Sequence, residues 1–266
     1  MSKSFYSLGL MSGTSMDGID ASVIQTDGKH QYRTILDRYF AYPKDIYKDL
    51  TQLRDKIKSS NDLKKFSNKI QKVEEEITLF HANVIRMILK KTKVNVNLIG
   101  LHGQTIYHNA KEKISKQLGD GKFLSKFSKK NIVYDFRQND LENGGQGAPL
   151  APIFHNTIAN KINKKFNIKF PINILNIGGI SNITSTVEEN TLWKSNEILA
   201  YDIGPGNCLI DEWVRKNSKK GYDKEGLLAR NGNTDKLILN QALENFTENS
   251  SYEKSLDIKD FDIFFA

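Results

Sequence analysis

The 266-residue chain is poor in the residues that mark several common protein classes. It has a single cysteine, Cys208, which excludes a disulfide framework and a metal centre built from cysteines. No apolar run approaches the ~18 residues that span a bilayer, and the first residues hold no apolar signal-peptide segment. Hydrophobic residues still make up 38% of the chain, which is enough for packed cores and excludes a disordered protein. We therefore expect a cytoplasmic protein of one large domain or two ordinary ones.

Arginine is also scarce, which bears on the meaning of the net charge of +8. Of the 39 basic residues, seven are arginines and 32 are lysines, and most stand singly or in pairs. Base readout favours the planar guanidinium, and phosphate tracking favours a concentrated basic stripe. Dispersed lysines instead indicate a solvated surface, so we expect neither a nucleic-acid partner nor a membrane partner. A lysine-rich nucleic-acid binder stays open only as a minor alternative.

Apolar patterns predict strands joined by glycine-rich turns in both halves of the chain. Strands are predicted at residues 5–11, 19–26, 32–42, 94–101, 131–136, 172–177, 180–187 and 198–202. Apolar residues spaced three and four apart from Leu63 to Ile88 predict one long amphipathic helix, and further helices are predicted from Pro152 and Leu209.

Composition predicts two domains, at residues 1–168 and 169–266. The stretch 160–171 is rich in lysine and asparagine and ends in proline, which is typical of a boundary. Each half opens with a strand, a glycine turn and a second strand. We interpret this as a duplicated α/β unit, although two unrelated hairpins would give the same pattern.

The turn at residues 12–18 is the first candidate ligand site. Its backbone N–H groups and the hydroxyls of Ser12, Thr14 and Ser15 can surround phosphate groups. The turn lacks the Gly-x-x-x-x-Gly-Lys pattern and leads into a strand, so it is neither a Walker A loop nor a dinucleotide-binding loop. A plain tight hairpin is an equal alternative.

Asp202 is the strongest candidate for a catalytic residue. It ends a predicted apolar strand and precedes a turn that contains Gly204 and Gly206. Sheets of α/β proteins place ligands at such strand ends, and a carboxylate there can act as a general base. An aspartate that only caps the next helix is the structural alternative.

Two groups in the first half are weaker candidates. His102 and Gln104 follow a predicted strand and can hydrogen-bond a polyol or an amide, although a lone histidine is more often structural. Asp135, Arg137 and Asp140 lie beside a glycine loop, where they can clamp an anionic substrate or merely form salt bridges. Neither group has metal-ligand spacing, so we expect no metal site built from side chains alone.

Six motifs occur in one order along the chain. They are MSGTSMDGID at residues 11–20, LHGQT at 101–105, DFR at 135–137, GGQGAPLAP at 144–152, NIGGISN at 176–182 and DIGPGN at 202–207. In these motifs, from about residue 5 to the last residue, the chain resembles the anhydro-N-acetylmuramic acid kinase family.

The resemblance implies an α/β protein with an actin-like ATPase (ribonuclease H-like) fold, in which two similar domains surround a cleft. It implies an enzyme that uses ATP and Mg²⁺ to open the 1,6-anhydro bridge of 1,6-anhydro-N-acetylmuramic acid and to phosphorylate O6. The product is N-acetylmuramic acid 6-phosphate, formed in cell-wall recycling and amino-sugar catabolism. The expected partners are then small molecules, and a homodimer is left open.

The resemblance also implies roles for individual residues. Asp202 becomes the base that directs water onto the anomeric carbon. The ATP-binding positions are Gly13, Thr14, Ser15, Met16, Asp17, Gly18, Ile19, Asp20, Gly178, Gly179, Gly204 and Gly206. The substrate-binding positions are His102, Gln104, Asp135, Arg137, Asp140 and Gln146.

Family chains continue beyond the position that matches Ala266, where this sequence ends in the apolar run 260–266. We therefore expect a C-terminally truncated chain with an incomplete second domain, and adenine-binding residues in the absent part. A catalytically inactive nucleotide- or sugar-binding fragment of the same fold is the alternative to an active kinase.

Overall fold

A computed structural model describes residues 4–188 and 198–247 of the chain. The chain divides into two compact units, Met1–Ala148 and Pro149–Ala266. Both units combine strands with helices, which confirms the predicted α/β class. The apolar run 260–266 lies outside the described residues.

A mixed six-stranded sheet forms the first unit. Its strands are β1 (Phe5–Ser12), β2 (Gly18–Thr26), β3 (Tyr32–Ala41), β4 (Leu98–Asn109), β5 (Ile114–Leu118) and β6 (Asn131–Val133). The strand order is β3-β2-β1-β4-β5, and β6 pairs with the first residues of β4. Strands β1, β4 and β6 run parallel, whereas β2 runs antiparallel to both β1 and β3.

The first unit contains five helices in the described residues, and two of them correspond to one helix predicted from the sequence. They are α1 (Lys44–Lys56), α2 (Ser60–Lys65), α3 (Ser67–Lys91), α4 (Gly121–Ser128) and α5 (Phe136–Glu142). The predicted long helix is divided between α2 and α3, because Phe66 leaves the helical backbone conformation at φ −104° and ψ 18°. Its apolar stripe is confirmed, since it packs into the core on both sides of Phe66.

The core of this unit lies between one face of the sheet and the helices α1 and α3. Alternate residues of β1 and β2 are almost fully buried in it: Leu8, Leu10, Ile19, Ala21 and Val23. From α3 the core receives Ile70, Val73, Ile77, Val84 and Ile88. Each large aliphatic side chain contributes about 1.5–3 kcal/mol on burial, so the strands that carry the candidate site are firmly held.

The second unit is built on a three-stranded antiparallel sheet of order β7-β8-β9. The elements are α6 (Pro152–Phe166), β7 (Ile172–Ile177), β8 (Ile180–Thr186), β9 (Leu199–Pro205), α7 (Cys208–Asn217), α8 (Leu227–Asn231) and α9 (Lys236–Thr247), with a 3₁₀ turn at Lys224–Gly226. Helix α6 packs on β8 and β7. Hydrogen bonds join this helix to β8, as the His155 ring and the Thr184 hydroxyl lie 2.8 Å apart.

The units divide before α6, whereas composition predicts a boundary after residue 168. The lysine- and asparagine-rich residues 160–166 form the end of α6, and the packing of α6 on β7 and β8 places that helix in the second unit. The sheet of each unit begins with an antiparallel hairpin, β1–β2 in the first and β7–β8 in the second, as the repeated strand–turn–strand pattern predicts. In the described residues, no helix is both long enough and apolar enough to cross a membrane.

Candidate functional site

The turn between β1 and β2 presents backbone N–H groups to solvent. The Met16 N–H donates to the Gly13 carbonyl at 3.2 Å, and the Met16 backbone takes a positive φ of 58° that sends its side chain into the core. The Ser15 hydroxyl donates to the Asp17 carboxylate. Thr14 and Ser15 are exposed, and their N–H groups have no acceptor among the described residues. The turn therefore offers donors where a phosphate could bind.

A buried hydrogen-bond network holds this turn in place. The Ser12 hydroxyl lies 2.7 Å from Gln104 Oε1, 2.8 Å from the Gly18 carbonyl and 2.9 Å from the Tyr42 hydroxyl. The two carbonyl oxygens only accept, so Tyr42 donates to Ser12, and the single hydroxyl proton of Ser12 is shared between the two carbonyl oxygens. The Gln104 amide N–H₂ in turn donates to the Gly13 carbonyl at 3.0 Å. Gln104 thus braces the turn from β4.

Two glycines of the turn have different structural requirements. A Cβ at Gly18 would collide with the Phe40 carbonyl oxygen, so this glycine is needed where β2 passes β3. A Cβ at Gly13 would only meet Ser15 Oγ at 3.7 Å, an ordinary contact. Among the described residues a side chain would therefore fit at position 13, whereas it would not fit at position 18.

His102 lies at a bulge inside β4, and the prediction that it follows the end of a strand is wrong. In the register of β1 on β4, Leu10 faces Leu101 but Ser12 faces Gln104, so β4 has one extra residue there. Gly103 absorbs it with a φ of 72°. Pairing with β5 then carries β4 on to Asn109, so His102 and Gln104 lie inside the strand. Bulges re-aim side chains and are frequent near active sites.

Arg137 is fixed on His102. The Arg137 Nε–H donates to His102 Nε2 at 3.0 Å, and His102 Nδ1 lies 2.7 Å from the Gly103 carbonyl oxygen. This pattern requires a neutral imidazole with its proton on Nδ1. Burial, followed by the charge of Arg137, lowers the pKa of His102 to about 4. The pair therefore carries one positive charge, on the guanidinium.

The other predicted substrate-binding residues of this region have separate places. Asp140 is engaged by its own loop, because Oδ2 accepts the Gly147 N–H at 2.7 Å. Asp135 is exposed and begins α5 with a left-handed φ of 58°. Gln146 is exposed on the same glycine loop as Gly147. Asp140 therefore holds its own loop, whereas Asp135 and Gln146 are exposed to solvent and accessible to a ligand.

Asp17 and Asp20 place two carboxylates near the turn. Burial raises the pKa of Asp20, and the charge of Asp17 raises it further. The two carboxylates are therefore close enough to repel each other, and a bound cation would reduce this repulsion. No cluster of three metal-ligating side chains occurs in the part of the chain that the structure describes.

In the second unit Asp202 lies within β9, and the prediction that it ends a strand is wrong. Asp202 pairs with Asn182, while the next pair joins Gly204 to Ser181, so Ile203 bulges out of the ladder. Gly204, at a φ of 154°, lets the pairing continue to Pro205. Asp202 is half-buried beside this bulge. Asn207 occupies the N-cap position of α7 and makes no side-chain capping bond, so Asp202 is not the residue at the start of this helix.

The turn at Gly178 and Gly179 is joined to the loop that follows β9. The Gly179 carbonyl accepts the Gly206 N–H at 2.9 Å, and the Gly178 carbonyl accepts the Asn207 N–H at 2.7 Å. A Cβ at Gly206 would collide with the Gly178 carbonyl oxygen. The motifs NIGGISN and DIGPGN therefore form one structure at one end of this sheet.

Sequence reasoning missed Tyr42 and Asn182 as members of these two sites. Tyr42 reaches Ser12 from beyond the end of β3, and no local pattern marks a contact made across thirty positions. Asn182 could have been found, because the hairpin of β7 and β8 places it in register beside the strand of Asp202. The motif NIGGISN contains Asn182, but only the strand pairing brings it opposite Asp202.

Comparison with known proteins agrees with the motifs. A family model described as anhydro-N-acetylmuramic acid kinase matches residues 5–261. The chain is 53% identical, over its whole length, to a protein named anhydro-N-acetylmuramic acid kinase from Pelagibacter ubique, and it covers 69% of that protein. It is 34% identical to proteins of the same name from Agrobacterium fabrum and Rhizobium etli, with 96% of this chain aligned to 67% of each.

These matches define a kinase that acts on small molecules, of a kind that uses ATP and typically a divalent metal ion. The chain belongs to the anhydro-N-acetylmuramic acid kinase family, whose function is a kinase step in cell-wall recycling. The alternative of an inactive binding fragment is not favoured by relatives that all bear a kinase name.

Proposed function

We propose that this chain phosphorylates 1,6-anhydro-N-acetylmuramic acid at O6 with ATP and Mg²⁺ while water opens the anhydro bridge, giving N-acetylmuramic acid 6-phosphate and ADP. The observation that carries the proposal is the braced turn of the first unit, with exposed N–H groups at Thr14 and Ser15. These N–H groups would donate to phosphate oxygens, and the turn lies in the motif MSGTSMDGID, the first of the six motifs that the chain shares with the family. We also propose that the reaction takes place in the cytoplasm, where ATP is available.

Asp202 is the proposed base. Its carboxylate orients a water molecule towards the anomeric carbon and takes one proton from it, while a bond forms between the water oxygen and C1. The bond from C1 to O6 breaks, and O6 takes the γ-phosphoryl group as ADP leaves. A glycosidase normally protonates its leaving oxygen with a second acid. In this reaction the phosphoryl group takes the place of that proton.

The described residues fit the phosphates of ATP and a magnesium ion. The N–H groups of Thr14 and Ser15 would hold phosphate oxygens, and position 13 leaves room for them because it has no side chain. Asp17 and Asp20 would hold Mg²⁺, which usually takes one or two carboxylates together with substrate phosphates. The metal supplies neutralisation of charge on the transferring group.

The strand topology supports an actin-like, ribonuclease H-like fold for both units. In the first unit, β3-β2-β1-β4-β6 forms a sheet in which an antiparallel meander leads into parallel strands. The antiparallel strands β7, β8 and β9 repeat the opening of that sheet. We propose that the units are the two related domains of such a kinase.

Release of ADP tests the activity. The purified chain is incubated with the anhydro-sugar, ATP and Mg²⁺, and ADP is followed by a coupled assay while mass spectrometry identifies the sugar phosphate. We expect ADP and the 6-phosphate in equal amounts, and no ADP above background when the sugar is left out. ADP release that does not depend on the sugar would contradict the proposal.

Oxygen labelling tests the bond that is broken. In ¹⁸O-water we expect the label on the anomeric carbon of the product, because water attacks C1 and O6 keeps its own oxygen. Fragmentation of the product by mass spectrometry locates the label. Label between C6 and phosphorus would exclude the proposed scheme.

A further inference from the structure

Helix α4 carries two phenylalanine rings on its exposed side. Phe123 and Phe127 are 40% and 45% exposed, and their rings stack with centroids 6.2 Å apart and planes inclined by 14°. Their spacing of four residues places them on one face of the helix. Single exposed apolar residues are common and need no explanation, but these two rings form one continuous apolar surface.

Lysines flank the pair of rings. Lys122, Lys126 and Lys129 are exposed, and none of them forms an ion pair in the part of the chain that the structure describes. Residues 120–130 contain four lysines and one acid, Asp120, which caps the helix by accepting the Phe123 N–H at 2.9 Å. We call the exposed residues the α4 surface: Lys122, Phe123, Lys126, Phe127 and Lys129.

The opposite side of α4 is packed firmly, so the exposure of the two rings is a property of the folded chain. Leu124 is fully buried, and a Cβ at Gly121 would collide with the Tyr134 ring. The Asp120 backbone N–H donates to the Thr78 hydroxyl of α3 at 3.0 Å, which fixes the start of the helix. Because Leu124 occupies the core side, the helix cannot rotate to bury the rings without exposing it.

The chemistry of the α4 surface fits an anionic lipid bilayer. Helices that bind at the interface of a membrane combine aromatic side chains with lysines, whose long apolar stems let the charged ends reach the headgroups. The net charge of +8 adds attraction to an anionic surface. A nucleic acid fits less well, because the chain has no arginine between residues 87 and 136 and arginine is the preferred residue for base contacts.

We propose that the α4 surface binds anionic lipid bilayers, with Phe123 and Phe127 in the interfacial layer and the three lysines on the lipid phosphates. The lysines of the whole chain are dispersed, which predicts no membrane partner, but on α4 they are concentrated around an apolar pair. The association is peripheral and reversible, since two rings and three lysines bind far more weakly than a spanning helix. It does not depend on the proposed function.

Co-sedimentation with lipid vesicles tests the proposal. The purified chain is mixed with vesicles of phosphatidylcholine alone, or of phosphatidylcholine with one third phosphatidylglycerol, at low and at high salt. We expect binding to the mixed vesicles at low salt, little binding to phosphatidylcholine alone, and loss of binding at high salt, because salt screens the attraction between exposed lysines and lipid phosphates.

Two double variants separate the contributions of charge and of the rings. Each lysine near an anionic bilayer strengthens binding roughly fivefold, so Lys122→Gln with Lys126→Gln should bind about 25-fold more weakly. Phe123→Ser with Phe127→Ser should bind about 10-fold more weakly, because the exposed part of both rings no longer leaves water. The matched control is Lys44→Gln with Lys48→Gln on α1, which has the same spacing and charge change, and it should stay within about twofold of the wild type.

The outcomes decide between a membrane surface and its alternatives. A wild type that does not bind the mixed vesicles at low salt, or binds both kinds of vesicle equally, would overturn the proposal. A loss in the lysine variant with no loss in the phenylalanine variant would also overturn it, since the rings would then play no part. Binding of a single-stranded oligonucleotide that needs both phenylalanines, without vesicle binding, would overturn it in favour of a nucleic acid. The comparison of lipids on the wild type needs no variant, so it holds even if a variant folds poorly.

Discussion

Arg137 and His102 are joined by a hydrogen bond of 3.0 Å that works only while the histidine is neutral. The imidazole accepts the Arg137 Nε–H on Nε2 and keeps its own proton on Nδ1, facing the Gly103 carbonyl. A second histidine, His81, is fully buried in the core of the same unit. Burial lowers the pKa of His81 to about 4, the same value to which burial and Arg137 lower the pKa of His102. The pKa values of these two histidines therefore both lie near 4 in the folded unit.

We expect the free energy of unfolding to fall as the pH falls from about 6.5 to about 4. Both histidines bind a proton more weakly in the folded than in the unfolded chain, so their contribution is complete above the unfolded pKa and is lost through that window. Urea denaturation at a series of pH values measures the effect. In His102→Gln the amide can replace both hydrogen bonds, so the loss should be smaller, whereas the exposed His30→Gln should follow the wild type. A stability that stays constant across the window would contradict this account.

A second prediction concerns the stability that the hydrogen-bond network around Ser12 contributes. Ser12→Ala leaves Gln104 Oε1 and the Tyr42 hydroxyl without their buried partner, and an unsatisfied buried group costs about 1–3 kcal/mol. Tyr42→Phe removes one donor and should cost only about 1 kcal/mol, since Ser12 keeps its two acceptors. Chemical denaturation of both variants gives the comparison. Equal stability of Ser12→Ala and the wild type would show that the network does not hold the turn.

Features of the fold that depend on residues close together in the sequence could be predicted, whereas features that depend on contacts between distant residues could not. The strands β1, β2, β7 and β8 follow from local alternation and flanking glycines, and the sequence predicts them closely. The bulges at His102 and Ile203 do not follow, because each arises from pairing with a neighbouring strand. For the same reason the sequence ends β4 and β9 too early and places His102 and Asp202 at strand ends. The bond between His102 and Arg137 also needs tertiary structure, since it joins positions on two different elements.

Positions 13 and 18 distinguish a ligand requirement from a folding requirement. We expect Gly13→Ala to fold normally, because its Cβ meets only Ser15 Oγ at 3.7 Å, but to bind ATP at least ~10-fold more weakly by displacing charge-assisted bonds. Gly18→Ala should lose about 1–3 kcal/mol of stability, because its Cβ collides with the Phe40 carbonyl oxygen. Thermal midpoints and titration with ATP measure both quantities. ATP affinity unchanged in a folded Gly13→Ala would exclude the turn as the phosphate site.

Gly206 and Gly178 provide the corresponding pair in the second unit. Gly206→Ala should separate the β7–β8 turn from the loop after β9, because its Cβ collides with the carbonyl oxygen that accepts the Asn207 N–H. We expect lower stability together with lower kcat, since that loop follows the strand of Asp202. Gly178→Ala places its Cβ 3.6 Å from the Ile180 carbonyl oxygen, an ordinary contact, and should keep the fold. If both variants are as stable as the wild type, the two loops are not held together as described.

Asp202→Asn tests the proposed base directly. We expect kcat to fall by at least ~10²-fold, because an amide cannot take the proton of the attacking water and general-base catalysis contributes a factor of that order. The thermal midpoint should stay close to that of the wild type, since asparagine has the same shape and the ladder of β9 is made by backbone groups. Asp211→Asn on α7 makes the same chemical change further along the chain and should keep its kcat. A kcat that survives in Asp202→Asn would mean that another carboxylate takes the proton. In that case the bulge at Ile203 would orient Asp202 for binding the sugar, and Asp202→Asn would raise only the KM for the sugar.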